Sequence, residues 1–599
     1  MVRLSTSLLI ALSFRLFNAL VSRTFFQPDE YWQALEVAHR LVFGYGYQSW
    51  EWRHAAVGAE VGVKELLAGG GGGGIRSPLY PFLFVPLFWV LSVTGLDDPV
   101  LLTLAPRLVQ AVIAAATDLA VKRLATRLIG RRYGNAAIFC SNTSFFNFHA
   151  STRTFSNSME TALTTLALAW WPWEDSPSSE AAAKGHAEPS RYESSSLAVS
   201  LSFAAVASIM RPSSAVLWLF LGLHLLVTSR TVSRRLGVLF TTLTISAIAA
   251  LGCLALDTRF YQTPTFTPLR FLHQNVFNSI SLFYGANPFH FYLTQALPLM
   301  TLTQLPFVLH GLYLVFWRRS ARTGRPGLRV AGQAVGVTVA IYSLLGHKEW
   351  RFVHPLLPVL HLFAALSLVN LYATAPYSSY LALPHLPIRP LHALILAISL
   401  GPALYLTAFH CKGQVDVIHY LATLPVEELR SVGFLMPCHS TPWQSHLHRR
   451  ELEVEGGGSG EGGRAWFITC EPPVLGQDPT TYLDQSDVFY ASPISYLHTR
   501  FPHTVNPSFP PSPFPSAVSL PPPSSSDLNW RHEWPSHIVV FQALLEEVEE
   551  GKETVGEVLR RMGYAEERRL WNSHWHEDER RRGNVVVLRW KGGAGTTVS

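Results

Sequence analysis

The sequence predicts an all-α polytopic membrane protein of about 11 spans, with a small α+β domain at its C-terminal end on the lumenal side. Hydrophobic residues make up 48% of the 599 residues and charged residues only 15%. Soluble domains carry about 25% charged residues. Long stretches before residue 411 are almost free of charge, whereas the region after it is polar. This division indicates a membrane body followed by a soluble tail.

Apolar runs that suit membrane helices recur along the first 410 residues. About 20 apolar residues cross the hydrocarbon layer, and shorter runs extend into polar flanks or lie where the bilayer is thinned. Arg211-Pro212 separates two neighbouring runs, because proline interrupts a helix. The predicted spans are 3–22, 101–120, 135–150, 159–173, 196–210, 213–229, 236–256, 291–317, 331–345, 354–373 and 391–410.

Basic clusters beside the apolar runs set the predicted orientation. Clusters at 121–132, 230–235 and 318–329 are typical of cytosolic loops. A full crossing by the apolar segment 78–96 would invert every later span. We therefore interpret 78–96 as a segment that dips into the bilayer and returns, or that lies in the interface. The regions then predicted to be lumenal are 24–77, 151–158, 211–212, 257–290, 346–353 and everything after 411.

The N-terminal run resembles a signal peptide, but Arg15 interrupts it and no small-residue cleavage site follows. We predict a retained first span whose arginine faces protein or the interface. Among the five cysteines, Cys140 and Cys253 lie in or near apolar runs and are expected to pack as small hydrophobic residues. Two of the three cysteines that follow the last span could pair in the lumen, and the pairing stays open. These three are Cys411, Cys438 and Cys470.

The composition divides the chain into four regions. Residues 1–410 form the predicted catalytic membrane body and 411–506 a lumenal region packed on it. The Pro/Ser-rich stretch 507–527 is typical of a linker. A small lumenal segment, 528–599, follows. In it, SHIVVFQALLEEV is expected to be a strand or a helix, and NVVVLRW a final strand.

The first predicted lumenal loop contains two adjacent carboxylates in the sequence QPDEYWQ. Pro28 suits the first position of a helix, so Asp29 and Glu30 fall in the first turn, where the helix dipole stabilises negative charge. An ionised carboxylate there can accept a proton as a general base. Adjacent helical residues point about 100° apart, so only one of the two is expected to face the reacting group. The alternative is that both simply favour the helix start. The neighbours Gln27 and Trp32 are candidate substrate contacts.

A second constellation, GHKEWRF, lies between two apolar runs. Charged residues at that depth are energetically unfavourable and usually functional. His347, Lys348 and Arg351 suit a phosphate, because arginine offers a bidentate fork and lysine a point charge. The alternative is an interfacial cluster whose charged ends reach the headgroups.

The other predicted lumenal loops add donors for sugar hydroxyls and phosphate oxygens. Each is weak alone, but together on one side they are candidate substrate contacts. They are Arg153, Asn157, Arg211, His273 and Tyr284.

Several function classes lack their sequence features. No P-loop, GxGxxG or GxSxG element is present, and no DxD-type metal motif stands out in a lumenal loop. This argues against a nucleotide-sugar donor and a metal site. The stretch CHSTPWQSHLH fits no standard zinc spacing. Nucleic-acid binding is not expected, because the net charge of +6 comes with no basic face or RNA-binding motif.

The motifs QPDEYWQ, STRTFSNSMET, RPSSA and HKEWRF together resemble glycosyltransferase family 22, the type C enzymes that take mannose from dolichyl phosphate. The tail pieces GFLMPCHSTPWQSHLH, CEPP and YLDQSDVFYASPISYL resemble the branch that adds the third mannose of the GPI anchor precursor. The resemblance implies dolichyl phosphate mannose as donor, the GPI precursor glycolipid as acceptor, no cofactor, and a multi-pass position in the endoplasmic reticulum membrane with a lumenal active site. It also implies inverting transfer, with Asp29 as the base and Glu30 as a reserve base or acceptor ligand.

Two alternatives accompany this expectation. A related family member would use the same chemistry on another acceptor, adding the fourth GPI mannose or extending the N-glycan lipid precursor. A lipid transporter or flippase would show repeated halves and charges in mid-membrane. The sequence contains no internal repeat of that kind.

Overall fold

The computed structural model describes residues 6–53, 73–173, 191–318, 325–373, 386–453, 463–473, 482–512, 530–548 and 553–592. The chain forms two compact units. The first unit comprises Met1–Ser22, Ala59–Ser77 and Arg107–Tyr405, and the second comprises Arg23–Gly58, Pro78–Pro106 and Leu406–Ser599. Most of the predicted linker lies at 513–529, outside the described residues.

Helices build the membrane-spanning part of the chain. The α-helices are Thr6–Val21, Pro99–Leu128, Gly134–Asn142, Phe145–Ala150, Ser156–Trp170, Arg191–Met210, Ala215–Thr228, Val232–Tyr261, Thr267–Leu272, Leu297–Thr301, Leu305–Phe316, Pro326–Leu344, Leu357–Ala373, Pro390–Ile398 and Leu400–Ala408. Tighter or wider helical turns lie at His273–Phe277, Ile280–Tyr284, Tyr292–Ala296 and Trp350–Leu356. Within the described residues, six helical stretches are long and apolar enough to cross a membrane, and four shorter apolar helices accompany them.

The helix boundaries refine the predicted spans. The run 135–150 is two helices, because the chain breaks after Asn142 and Ser144 caps the second helix by accepting a hydrogen bond from the Asn147 amide. The predicted break at Arg211-Pro212 is confirmed: Arg211 has an extended backbone and a short turn, Pro212–Ser214, starts the next helix.

The apolar segment 78–96 contains a short turn, Pro81–Leu83, and the helix Val85–Thr94, which ends at Gly95 in the left-handed conformation. A ten-residue helix rises about 15 Å, half of the hydrocarbon thickness of about 30 Å. This length favours the interpretation that the segment dips or lies in the interface.

The arginine of the first span faces protein, as predicted. Arg15 is buried and forms a two-pronged ion pair with Asp118, through Nε at 2.7 Å and Nη2 at 2.9 Å. It also donates to the Ser151 hydroxyl at 3.0 Å. A buried arginine is tolerated when it is paired and hydrogen-bonded in this way.

The second unit contains one five-stranded sheet in the order β2-β1-β3-β5-β4. β1 and β2 run parallel, as do β1 and β3, whereas β5 is antiparallel to both β3 and β4. Regions 411–506 and 528–599 both supply strands to this sheet; their treatment as separate domains stays a prediction. The strands are β1 Val432–Leu435, β2 Ala465–Phe467, β3 His537–Phe541, β4 Tyr564–Leu570 and β5 Val585–Trp590. The predicted small α+β domain and its final strand are confirmed.

Both faces of the sheet are buried, so its central strands are largely apolar, with His537 and Arg589 as polar exceptions near the strand ends. One face packs on the helix Gly413–Thr423 and on the helical turn Tyr31–Leu35, which carries Trp32. The other face packs on short helices that follow the strands. These helices are Gln485–Ala491, Pro493–Arg500, Gln542–Leu545 and Val555–Arg561.

Candidate functional site

The two adjacent carboxylates begin a helix in the second unit, as predicted. We name the turn Tyr31–Leu35 and the following α-helix Glu36–Phe43 the carboxylate helix. The Pro28 carbonyl accepts hydrogen bonds from the amides of Tyr31 and Trp32, both at 3.0 Å. Asp29 and Glu30 therefore occupy the first turn, where the positive end of the helix dipole stabilises their charge.

The two carboxylates differ in burial. Asp29 is partly exposed, whereas Glu30 is completely buried. Gln27, just before the helix, is also partly exposed. Asp29 is therefore the carboxylate that a substrate can approach, consistent with the different directions of adjacent helical side chains. The turn Tyr31–Leu35 that follows is a wide, π-type turn, a feature often found at functional sites.

Trp32 packs into the core of the second unit. Its indole N–H donates to the Thr441 carbonyl at 3.0 Å. Its ring lies 4.3 Å from His439 and 5.0 Å from Phe467. Trp32 was a candidate substrate contact from its sequence neighbourhood, but with 3% exposure it fixes the carboxylate helix to the tail segment that follows β1.

Glu36, one turn further along, holds the same tail segment. Its two carboxylate oxygens accept backbone hydrogen bonds, from the Tyr47 amide at 3.1 Å and from the Ser445 amide at 2.9 Å. Burial raises the pKa of this carboxyl to about 7, although the two backbone donors oppose the shift. The helix is thus locked to both the 45–47 loop and the 441–445 segment.

His39 makes a third contact between the carboxylate helix and the tail, with a histidine of CHSTPWQSHLH. Its Nε2 lies 2.9 Å from Nδ1 of His448. His448 also lies 3.0 Å from the Tyr45 hydroxyl and 3.7 Å from an Asp97 carboxylate oxygen. Trp32, Glu36 and His39, on successive turns of the carboxylate helix, therefore all contact the 439–448 segment. These contacts give the tail histidines a role in positioning the helix.

A disulfide joins Cys438, after β1, to Cys470, after β2. It resolves the open pairing among the three cysteines that follow the last predicted span, and Cys411 is buried outside this disulfide. Ligand atoms of Cys438, His439 and Cys470 lie close enough to hold a metal ion. Because the two sulfurs are bonded to each other, they do not offer the thiolates that zinc requires.

The cationic constellation lies in the first unit and contains its own counter-ion. Arg351 donates from Nε and Nη2 to the two oxygens of Glu349, both at 2.6 Å. His347 Nε2 lies 3.1 Å from the same carboxylate. Burial alone would raise the pKa of Glu349, but Arg351 and His347 outweigh it and hold this pKa well below its usual range. Glu349 is therefore a carboxylate that orients two of the predicted phosphate ligands.

Lys348 is held by the loop that precedes the Tyr292–Ala296 turn. Its Nζ donates to the Asn287 carbonyl at 2.7 Å and to the Gly346 carbonyl at 3.4 Å. The Asn287 side chain donates to the Lys348 carbonyl at 2.9 Å. Burial lowers the pKa of Lys348. An ammonium has three donors, so this arrangement fixes its position and leaves one donor for a ligand oxygen.

The motifs STRTFSNSMET, RPSSA and HKEWRF meet in the first unit. Asn157 donates to the Arg351 carbonyl at 3.2 Å and to Glu160 at 3.4 Å. Arg211 Nε lies 3.4 Å from Glu160, and its guanidinium lies 5.3 Å from the Phe352 ring centre. Glu160 thus orients Arg211 much as Glu349 orients Arg351.

The remaining candidates are Arg153, His273 and Tyr284. Arg153 is fully buried, and its Nε donates to the His149 carbonyl at 2.9 Å. His273 contacts Phe277 in its own turn. Tyr284 is exposed and directly precedes Gly285, whose carbonyl lies 2.7 Å from His347 Nδ1.

The networks also contain residues that are not among the predicted site residues, and four of them directly hold a predicted site residue or the carboxylate helix. Asn287 is the least visible in sequence, because nothing local distinguishes one polar loop residue from its neighbours. The other three residues are acids that the sequence could have revealed. Each lies in an apolar or motif-rich stretch, where an unpaired charge would be unfavourable, so each is expected to have a partner. They are Glu36, Glu160 and Glu349.

Comparison with known proteins identifies the family. The model of the Alg9-like mannosyltransferase family matches residues 6–59 and 72–448, which include both the carboxylate helix and the cationic constellation. The chain belongs to this family. A member of the Alg9-like family is a mannosyltransferase, and it moves a sugar from a lipid-linked donor to a glycolipid acceptor.

The Alg9-like relatives include proteins from distant organisms. GPI mannosyltransferase 3 of Yarrowia lipolytica is 36% identical over 97% of this chain and 96% of its own length. GPI alpha-1,2-mannosyltransferase 3 of Danio rerio is 31% identical over 94% of this chain and 86% of its own. The human protein of that name is 32% identical over 82% of this chain and 77% of its own.

A solved structure supports the predicted fold class. ArnT from Cupriavidus metallidurans, bound to undecaprenyl phosphate, superposes with a TM-score of 0.53 over 97% of both chains at 12% identity. At that identity the similarity concerns the fold alone. It confirms the prediction of a multi-span membrane protein of the type C glycosyltransferase class.

Proposed function

We propose that this member of the Alg9-like family transfers mannose from dolichyl phosphate mannose to the second mannose of the GPI anchor precursor, forming an α-1,2 linkage. The observation that carries the proposal is the similarity to GPI mannosyltransferase 3, which extends over nearly the full length of both chains. The proposed location is the endoplasmic reticulum membrane, with the reaction on the lumenal side.

The proposed reaction is a single inverting displacement. The acceptor 2-hydroxyl attacks the anomeric carbon of the donor, and its proton passes to Asp29 as general base. The bond between that carbon and the phosphate oxygen breaks, and its electron pair leaves with dolichyl phosphate. A β-linked donor thereby gives an α-linked product. Partial exposure of Asp29 and complete burial of Glu30 support this choice of base.

The departing phosphate requires positive charge, and the HKEWRF segment can supply it. Preorganised donors stabilise charge that develops in a transition state without further rearrangement. His347 and Arg351 are preorganised by Glu349, and Lys348 by Asn287. A lipid monophosphate can be held by such cations alone, which supports a mechanism without metal or cofactor. Arg153, Asn157 and Arg211 would keep the reactants aligned.

An assay with defined acceptors tests the proposal. We expect the purified full chain, supplied with dolichyl phosphate mannose, to extend a GPI precursor that carries two mannoses. Precursors with one or three mannoses should not be extended, and an α-1,2-specific mannosidase should remove the added sugar. Transfer to the three-mannose precursor or to an N-glycan lipid precursor would instead favour a related specificity. Lipid movement across the bilayer without transfer would favour a transporter.

Replacing Glu349 by glutamine is expected to move the pH profile of donor use. Glu349 raises the pKa of His347, although burial of the imidazole opposes this effect. Without the carboxylate His347 loses its proton at lower pH, so the alkaline limb of kcat/KM for dolichyl phosphate mannose should move to lower pH. The control uses His347→Gln as the background. Adding Glu349→Gln to this variant should not move the alkaline limb of kcat/KM, because the imidazole is already absent. An unmoved limb in the Glu349→Gln single variant would contradict this role.

A further inference from the structure

Three exposed aromatic side chains form a surface in the second unit. Phe409 is 52% exposed, Trp571 40% and Trp575 58%. We name these three residues the aromatic patch. Large aromatic side chains are normally buried, so a group of them in solvent marks a contact surface. The mannosyl transfer proposed above makes no use of them.

The patch is built from two chain segments that are fixed to each other. The Cys411 amide donates to the Asn572 carbonyl at 2.9 Å. The imidazole of His410 stacks on Trp575, with ring centres 5.1 Å apart and planes inclined by 30°. A side chain at Gly413 would meet the Trp571 carbonyl oxygen at 2.9 Å, so glycine allows the close approach. The loop after β4 is thus tied to the segment before the helix Gly413–Thr423.

This segment follows two apolar helices, Pro390–Ile398 and Leu400–Ala408. Phe409 directly follows the apolar helix Leu400–Ala408. From Val415 onward the next helix buries its apolar residues against the sheet, with Val417, Ile418 and Leu421 fully buried. The change from an apolar helix with exposed side chains to a helix packed against the sheet therefore falls between Ala408 and Gly413, and the patch lies at that change.

The sheet has one edge that carries the patch. Four strands, β1 to β4, end at this edge, and β5 begins there. The pairing of Leu570 with Val585 and of Val585 with Phe541 places these strand ends side by side. Val426 precedes β1 and belongs to the opposite edge. The disulfide and the start of the 439–448 segment, which grips the carboxylate helix, lie at the patch edge.

We propose that the aromatic patch rests in the headgroup layer of the bilayer and sets the height of this edge of the sheet above the membrane. Tryptophan prefers that layer because its ring is apolar and its N–H is polar. The adjoining residues 577–582 are three acids and three arginines, and Asp578 pairs with Arg580 at 2.9 Å and Arg581 at 3.5 Å. This charge balance makes aromatic partitioning, rather than attraction to anionic lipid, the source of binding.

Spin labelling of the full chain in phosphatidylcholine nanodiscs tests the proposal. A nitroxide on His574→Cys lies beside both tryptophans, and one on the exposed Val426→Cys is the matched control at the opposite edge. The native cysteines outside the disulfide are buried. We expect the ratio of collisions with oxygen to collisions with a water-soluble nickel chelate to be several-fold higher at 574 than at 426.

Two further arms identify the source of the effect. Replacing Trp571 and Trp575 by serine should lower the ratio at 574 towards the aqueous value while the label at 426 reports no change. Adding phosphatidylserine should leave the ratio at 574 unchanged. An aqueous ratio at 574 in the chain with both tryptophans would overturn the proposal, as would a lipid contact that appears only with phosphatidylserine.

Discussion

Replacing Asp29 by asparagine is expected to abolish mannosyl transfer, lowering kcat by about 10²–10⁴-fold, the usual contribution of a general base. Asparagine has nearly the same shape, so the helix start and the Pro28 hydrogen bonds should remain. The amide cannot take a proton from the acceptor hydroxyl, so the chemical step fails while both substrates still bind. The measurement is kcat with dolichyl phosphate mannose and the two-mannose GPI precursor, together with the unchanged thermal stability of the variant.

A matched control separates loss of the base from a general effect of charge at a helix start. Asp98 accepts backbone hydrogen bonds from Val100 and Leu101 at the start of another helix in the same unit. Asparagine serves equally well in that position, so Asp98→Asn should keep wild-type turnover. Wild-type kcat in Asp29→Asn would remove Asp29 as the base. Glu30→Gln then distinguishes whether the buried neighbour performs that step.

The carboxylate helix could be predicted because its signals are local. A proline followed by two acids, then apolar residues at helical spacing, specifies a helix start without knowledge of the rest of the chain. Burial of Glu30 and exposure of Asp29 could not be predicted in the same way. They depend on tertiary packing, and no local pattern encodes it: Trp32 and Glu36 of the same helix, for example, contact a segment about 400 residues later.

The sheet, too, could be predicted only in part from local sequence patterns. The apolar runs of β3 and β5 are visible in sequence, because strands buried on both faces are continuously hydrophobic. β1 and β2 are only four and three residues long, too short for a reliable pattern. Their parallel pairing with β3, and hence the pairing of Cys438 with Cys470, follows from tertiary structure rather than from spacing.

The acids of the cationic region illustrate a different difficulty. Sequence shows that basic residues gather in HKEWRF, and their number suggests a strongly positive site. The structure gives Arg351 and Arg211 each a carboxylate, Glu349 and Glu160. Because a buried charge needs a partner, acids within a basic motif are better interpreted as orienting groups than as unrelated neighbours. The region is therefore less positive, and its cations more rigid, than their number implies.

Removing the two strongest cations of HKEWRF should have the second large effect. We expect Lys348→Ala with Arg351→Ala to lower kcat/KM for dolichyl phosphate mannose by about 10³-fold or more, since each preorganised donor to a developing charge contributes about 10²–10³-fold. KM for the GPI precursor should change little. The single variant Arg351→Lys should fall between wild type and the double variant, because lysine keeps the charge but loses the planar fork that Glu349 orients.

The control for this double variant removes the same charge elsewhere. Arg230→Ala with Arg235→Ala takes two cations from an exposed cluster that is predicted to be cytosolic, so donor kinetics should be unaffected. Removing Arg351 also leaves the partly buried Glu349 without its main counter-ion, so protein stability must be measured alongside kinetics. Adding Glu349→Gln to the double variant should restore any stability lost for that reason but not donor use. Wild-type donor kinetics in the double variant would mean that the leaving phosphate is held by other residues.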